Sequence, residues 1–192
     1  MPRTPAHPVD PLFPRRWSPR AMSGTPLTRE AMFTLLEAAR WSPSSGNGQP
    51  WRVVWALRGT PTFDAILAAL VPGNQAWAHA AGALLVMATA TLREDGKAAA
   101  SARFDAGAAW MALALQGTLS GLAVHAMGGF DAAKAVAAAG LPEGVEPQAV
   151  VAVGHPGPVE GLPEKLRERE APNDRRPVEA WAFEGRWGGG AP

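Results

Sequence analysis

Residues 41–51, Trp41-Ser42-Pro43-Ser44-Ser45-Gly46-Asn47-Gly48-Gln49-Pro50-Trp51, carry no charge and are rich in hydroxyls, carboxamides, glycine and proline. Such a stretch is a poor helix and a poor strand. It follows an amphipathic helical pattern that begins at Thr28, an N-cap residue, and precedes an apolar strand pattern at residues 51–57. A neutral polar loop at this junction can bind a flat ligand through backbone and amide groups, or can be a turn-rich surface connector. It offers neither an activated nucleophile nor a metal ligand, so a ligand bound here would supply its own chemistry.

Length and composition exclude several classes of function. The chain has 192 residues, which suits one domain with one sizeable core, and its formal net charge of +1 favours neither nucleic acid nor anionic membranes. The absence of cysteine excludes disulfides, thiol catalysis and cysteine-ligated metals. The four histidines lack metal-binding spacing, so no metal site is expected. Residues 1–14 have no apolar signal-peptide core, which makes a cytoplasmic location the expectation.

The uncharged run at residues 106–124 is long enough to cross a bilayer. It consists mainly of alanine and glycine, however, and Gln116, Thr118 and Ser120 interrupt it. The apolar content is too low for a membrane span, and we expect the buried helix of a globular domain instead.

Helices and strands alternate along the chain, which predicts a domain that mixes both. We expect helices from Thr28 and over residues 61–70, 99–121, 131–139 and 162–170, and strands over residues 51–57, 83–91, 122–127 and 148–154.

The two ends of the chain differ from this central domain, which we place at residues 15–187. Proline recurs at every third position from Pro2 to Pro14, the period of a polyproline II helix, so residues 1–14 are predicted to form an extended arm. The arm either packs on a partner subunit or is disordered. Residues 188–192 are predicted to be a flexible tail.

Arg16-Trp17-Ser18-Pro19-Arg20 supplies two guanidiniums and a hydroxyl, which suit a phosphate, although alone it could be a solvated basic segment. Further motifs lie at residues 72–77, at Asp105, and at residues 127–131 and 172–177. In this order and spacing, the motifs and the loop at residues 41–51 resemble the nitroreductase family of FMN-dependent oxidoreductases, from about Arg16 to Trp187.

The resemblance implies an α+β nitroreductase-like fold: a central, mainly antiparallel sheet flanked by helices, with the long helix at the interface of a homodimer. It also implies FMN-binding residues, namely Arg16, Trp17, Ser18, Arg20, Pro43, Ser44, Ser45, Asn47, Asn74, Gly128, Gly129 and Arg175.

The resemblance assigns parts of the flavin to these residues. Residues 16–20 would hold the phosphate and the pyrimidine side of the ring, and Arg175 or Arg176 would complete the phosphate site. Relatives often carry a further basic residue two positions before the matched arginine, and this chain has Asn173 there. Pro43, Ser44, Ser45 and Asn47 would cover the flavin from the neighbouring subunit.

Two further segments concern the flavin ring. Asn74 would contact its pyrimidine side, and Trp77 stands where some relatives have a lysine near flavin O2. Backbone N–H groups at Gly128 and Gly129 would face flavin N5. Glycine permits close backbone approach and positive φ, but this pair could also be a plain strand-to-helix turn.

The expected function is FMN-dependent oxidation of NADH or NADPH, with ping-pong reduction of a small acceptor such as a nitroaromatic or a quinone. The chain lacks a Gly-x-Gly-x-x-Gly turn, so the nicotinamide is expected to be a visiting co-substrate. No side chain is assigned a catalytic acid–base role. Two alternatives stay open: an FMN-dependent dehydrogenase or dehalogenase of a specific metabolite, and a non-catalytic flavin carrier.

Overall fold

The computed structural model describes residues 3–93 and 95–189. Its strands are β1 (Trp51–Leu57), β2 (Ala83–Ala90), β3 (Ala123–Met127) and β4 (Val145–Gly154). Its helices are α1 (Leu12–Arg15), α2 (Arg29–Arg40), α3 (Pro61–Ala69), α4 (Pro72–Ala78), α5 (Ala102–Leu119), α6 (Ala132–Ala139) and α7 (Glu164–Arg167). Short 3₁₀ turns lie at Ser45–Asn47, Val159–Gly161 and Val178–Ala180.

The four strands form one antiparallel sheet in the order β1-β2-β4-β3. The inner strand β2 is buried from Ala83 to Thr89 because helices cover both faces of the sheet. Leu84 and Val86 pack with α3 and α4, whereas Leu85 and Met87 pack with α2 and α5. The α+β fold with helices flanking an antiparallel sheet is therefore confirmed.

Side-chain caps fix where the predicted helices begin. Thr28 accepts a hydrogen bond from the Ala31 N–H at 3.1 Å, and Asp131 accepts one from the Lys134 N–H at 3.0 Å. Both caps satisfy N–H groups that have no partner inside the helix. The cap at Asp131 matters for the site, because it places the start of α6 directly after Gly128 and Gly129.

The long helix α5 buries one face in the core, as expected. Gly117 permits its close approach to β3, since a Cβ there would lie 2.3 Å from Val124 Cγ2. The other face is open: Phe104 is 83% exposed and Leu119 58%. None of the helices in the described ranges combines the length and apolar character needed to span a bilayer.

The prediction of an extended proline arm is wrong at its C-terminal end, where residues 12–15 form the one-turn helix α1. Proline fits the first turn of a helix because its missing N–H needs no partner there. Asp10 Oδ1 also accepts a hydrogen bond from the Leu12 N–H at 2.8 Å, which favours the turn. Pro2 of the predicted arm and residues 190–192 of the predicted tail lie outside the described residues.

Further differences from expectation lie at α4, α7 and β4, and α5 begins at Ala102 where residue 99 was expected. Helix α4 was not predicted, because its Pro72-Gly73 start looks like a turn. Helix α7 is shorter than residues 162–170. Strand β4 begins before the expected residue 148 and includes Pro147, which pairs with Ala88 next to a register shift in β2. Bulges of this kind accommodate proline in a strand.

Candidate functional site

The two arginine-containing motifs from opposite ends of the domain meet at one cavity of about 550 Å³. Residues 16–20 form one wall, the segment after α7 forms another, and β3 contributes a side chain between them. The predicted residues that line the cavity are Arg16, Trp17, Ser18, Arg20 and Arg175, together with Asn173 and the unpredicted His125, Glu168, Arg169, Ala171 and Pro172. The cavity therefore unites the predicted phosphate-binding residues.

Positive charge is concentrated around Arg16. Burial lowers the pKa of Arg16, and the charges of Arg175 and Arg3 lower it further. A guanidinium nevertheless stays protonated at neutral pH. Arg16 Nη1 lies 3.5 Å from Ser18 Oγ, which adds a hydroxyl to the same group of donors. Clustered, partly desolvated guanidiniums repel one another, so an anion bound among them would relieve that repulsion.

Arg20 lines the same cavity, but its charge has a protein partner. Its Nη1 lies 3.4 Å from Oε2 of Glu170, whose side chain is only 1% exposed. Glu170 Oε1 also accepts hydrogen bonds from the N–H groups of Arg20 and Ala21, at 2.5 and 2.8 Å. Glu170 thus joins the C-terminal segment to the N-terminal motif, and Arg20 has less free charge for a ligand than Arg16.

His125 forms part of the cavity wall, which sequence reasoning missed. Its Nδ1 lies 3.2 Å from the Pro19 carbonyl oxygen, so Nδ1 carries the proton and donates it. Burial lowers the pKa of His125, and nearby Arg20 lowers it too, against the opposing effect of the Pro19 hydrogen bond. The imidazole is therefore neutral at pH 7. The sequence feature that could have indicated this residue is the presence of a histidine within the otherwise apolar pattern of β3.

Trp77 lies beneath this histidine. It is 2% exposed, and its ring centroid is 4.6 Å from that of His125. The indole thus fills the core behind the cavity wall and brings no charge to the position where some relatives carry a lysine.

Asn74 holds the turn that contains Gly128 and Gly129. Asn74 Nδ2 and the Val71 N–H both donate to the Gly129 carbonyl oxygen, at 3.0 and 3.1 Å. A Cβ on Gly129 would lie 2.9 Å from Asn74 Nδ2, whereas one on Gly128 would meet nothing within 4 Å. Neither glycine has a positive φ. Close packing, not a left-handed conformation, therefore accounts for glycine at position 129.

The same turn presents backbone donors. Within residues 3–93 and 95–189, the N–H groups of Gly128 and Gly129 donate to no protein acceptor. Because β3 carries both His125 and the start of this turn, these donors follow closely after the cavity wall. Free donors at such a position can bind an acceptor atom of a ligand.

The loop that precedes β1 is held in an uncommon conformation. Asn47 and Gln49 have positive φ angles of 55° and 44°. Asp105, 5% exposed at the start of α5, accepts hydrogen bonds from the Ser45 N–H at 3.2 Å and from Ser101 Oγ at 3.0 Å. Left-handed residues other than glycine persist where the surroundings impose them, often at functional sites.

Within one chain this loop does not join the arginine cavity. Ser45 and Asn47 border a different cavity of about 780 Å³, which has no lining residue in common with the first among the described residues. Pro43 and Ser44 belong to the same loop, and Ser44 Oγ accepts the Gln49 N–H at 3.0 Å. The predicted residues thus fall into an arginine cavity, a glycine turn adjoining it and a separate loop.

No group of three or more histidine or acidic side chains in the described part of the chain could hold a metal ion.

Comparison with solved structures first identifies the class of protein to which this fold belongs. A crystal structure described as an oxidoreductase containing FMN is 42% identical, with a TM-score of 0.93 over 97% of this chain and 96% of that one. A nitroreductase family protein from Clostridium difficile 630 shares the fold at 21% identity, with a TM-score of 0.70 over 91% of this chain and 96% of that one.

The family model described as the nitroreductase family matches residues 14–155. The chain belongs to the nitroreductase family. It is also 43% identical over 128 residues to an uncharacterised 15.4 kDa protein of Mycolicibacterium smegmatis, a match that covers 66% of this chain and 85% of that protein.

Proposed function

We propose that this protein is an FMN-dependent oxidoreductase that takes hydride from NADH or NADPH and reduces a small acceptor such as a nitroaromatic or a quinone. The observation that carries the proposal is the cavity in which Arg16 and Arg175 converge from opposite ends of the domain. Membership of the nitroreductase family and the 42% identity to an oxidoreductase described as containing FMN support it.

The donor set fits the phosphate of FMN. A phosphate monoester carries about −1.5 to −2 charge at pH 7 and three strong acceptor oxygens. Arg16 and Arg175 offer forked guanidinium donors, and Ser18 offers a hydroxyl. The cavity volume of about 550 Å³ lies within the usual range for small-molecule sites.

The turn after β3 fits the ring of the flavin. The N–H groups of Gly128 and Gly129, which have no acceptor in the described part of the chain, are suitable donors for a ring nitrogen such as N5. Asn74 would act here by fixing the Gly129 carbonyl, in addition to the ring contact expected from the resemblance. Bound FMN would supply the redox chemistry, accepting hydride from a nicotinamide and passing electrons to the acceptor in a ping-pong sequence.

The protein's own residues would bind and orient the flavin. Arg16 and Arg175 neutralise the phosphate, and Glu170 fixes the backbone at Arg20 and Ala21 beside it. His125 is neutral, donates to the Pro19 carbonyl and supports the cavity wall. None of these side chains is proposed to transfer a proton during the reaction.

The protein is further proposed to be a homodimer in which the loop at residues 43–47 reaches the flavin site of the partner subunit. Two observations support this: the loop lies apart from the arginine cavity of its own chain, and α5 exposes apolar side chains such as Phe104. An apolar helix face of this kind is typical of an interface. Analytical ultracentrifugation, in which flavin absorbance should sediment with the dimer, tests this arrangement.

Anaerobic stopped-flow spectroscopy tests the proposed activity. Purified protein reconstituted with FMN is expected to lose its yellow colour rapidly on mixing with NADH or NADPH. It should regain the colour on mixing with a nitroaromatic or a quinone, because a ping-pong enzyme completes each half-reaction separately. A protein that binds FMN but reacts with neither partner at a useful rate is a carrier, and that result would contradict the proposed activity.

A further inference from the structure

Arg3 belongs to the proline-rich arm, outside every recognised motif, and it is hydrogen-bonded to Arg16, a residue that lines the arginine cavity. Its Nη2 donates a hydrogen bond to the Arg16 carbonyl oxygen at 2.6 Å. The arm continues into α1, which packs against the long helix α5. The arm is therefore attached to the domain at both points, and Arg3 is held next to the residue that begins the phosphate-binding motif.

The charges around Arg3 belong to the same group. Burial lowers the pKa of Arg3, Arg175 lowers it further, and Asp174 opposes the shift. Arg3 in turn contributes to the lowered pKa of Arg16. Arg3, Arg16 and Arg175 thus outnumber the nearby carboxylates of Asp174 and Glu168, which leaves an excess of positive charge that suits a phosphate dianion.

Asn173, in the cavity wall formed by the segment after α7, carries no charge that could replace Arg3. Asn173 lines the cavity, and its Oδ1 accepts a hydrogen bond from Arg175 Nη1 at 3.2 Å. Asn173 can therefore orient Arg175 but cannot compensate a phosphate. Arg20 is paired with Glu170, and Arg169 also lines the cavity. Arg3 differs from both because it is hydrogen-bonded to the Arg16 carbonyl oxygen, and its charge lowers the pKa of Arg16.

We propose that Arg3 is a third phosphate-binding arginine of the FMN site, supplied by the N-terminal arm and fixed by its hydrogen bond to the Arg16 carbonyl. This inference rests on the proposed function. A single guanidinium group carries several N–H donors, so the bond to Arg16 leaves others for the phosphate. Flavin binding and ordering of the arm would then favour each other, since the same anion attracts Arg3 and residues 16–20.

The test compares the Kd of FMN with that of riboflavin, which lacks the phosphate, using the full-length apoprotein. Arg3→Ala is expected to raise the Kd for FMN about 10- to 100-fold, as for loss of one hydrogen bond to a charged group, and to leave that for riboflavin nearly unchanged. Arg3→Lys keeps the charge and should lie between the two proteins. Arg15→Ala is the matched control, because Arg15 is an exposed arginine at the end of α1, the helix that follows directly from the arm, and this variant should bind both flavins like the wild type.

The outcomes separate this inference from the proposed function. If Arg3→Ala weakens FMN and riboflavin equally, the arm has only a structural role and the inference is overturned. It is also overturned if Arg3→Ala binds FMN like the wild type, or if Arg15→Ala causes the same loss. Wild-type protein that binds neither flavin overturns the proposed function as well. The thermal melting of each flavin-free variant, expected to match the wild type, shows that the fold is intact.

Discussion

Arg175→Ala is expected to raise the Kd for FMN by about 10- to 100-fold, because a hydrogen bond to a charged group contributes roughly 1.5–3 kcal/mol. Riboflavin should bind almost as it does to the wild type, since it has no phosphate to lose. The physical basis is the position of Arg175 in the wall of the cavity, where its charge already acts on Arg16. Titration of the apoprotein with each flavin, followed by fluorescence, measures both constants.

The neighbouring arginine provides a matched control. The sequence leaves open whether Arg175 or Arg176 meets the phosphate, but only Arg175 lines the cavity among the described residues. Arg176→Ala removes the same charge from an exposed side chain and should leave both constants nearly unchanged. If Arg175→Ala loses affinity for FMN and for riboflavin equally, this arginine does not contact the phosphate.

Replacing Arg20 is expected to affect flavin binding differently from replacing Arg175. Sequence reasoning grouped it with the phosphate ligands, whereas in the structure its guanidinium faces the buried carboxylate of Glu170. Its removal would leave that carboxylate without its cationic partner and disturb the wall of the cavity. We therefore expect Arg20→Ala to weaken the binding of FMN and the binding of riboflavin to a similar extent.

Proline at Gly128 or Gly129 is expected to have the second large effect. Each substitution removes a backbone N–H that has no acceptor among the described residues of the protein and is therefore proposed to donate to the flavin. The affinity for FMN and for riboflavin should fall about 10- to 100-fold, as for loss of a hydrogen bond to a buried acceptor with added strain. The midpoint potential of the bound flavin should shift as well, because the lost donor interacts with the redox-active ring.

Substitutions that keep the N–H separate this donor from simple crowding. Gly128→Ala and Gly128→Glu should be mild, because a Cβ at this position meets nothing within 4 Å. Gly129→Ala should be more harmful, because its Cβ would crowd Asn74 and Val71. Overpacking of this kind lowers the free energy of unfolding by about 1–3 kcal/mol. If Gly128→Glu is as harmful as the two proline variants, crowding rather than the backbone donor controls the site.

Much of the fold is predictable from local patterns. Strand β1 appears at its expected residues because its apolar run is bounded by turn-forming segments. The starts of α2 and α6 follow from Thr28 and Asp131, whose caps are local interactions. The errors also have local causes. The regular spacing of prolines predicts an extended arm at residues where α1 forms. The Pro72-Gly73 pair looks like a turn, although α4 begins there.

The site is less predictable because its parts depend on long-range contacts. The motif spacing identifies Arg16 and Arg175 as candidates, but no local pattern indicates that Glu170 partners Arg20. Nor does any local pattern place Arg3 against Arg16 or stack Trp77 on His125. These contacts arise only when the chain path brings the two termini and β3 to one cavity. Resemblance to a family identifies motif residues such as Arg16 and Arg175. It does not identify contacts such as that of Arg3 with Arg16.

The central claim is that two copies of this chain together hold FMN. Sedimentation velocity of the purified, FMN-reconstituted protein, recorded at the protein and the flavin absorbance bands, tests it most directly. We expect a single dimeric species that carries the flavin, with the monomer losing flavin as the protein is diluted, because a ligand that binds only the dimer stabilises it by mass action. A colourless protein that cannot be reconstituted with FMN, or a monomer with full flavin occupancy, would contradict the claim.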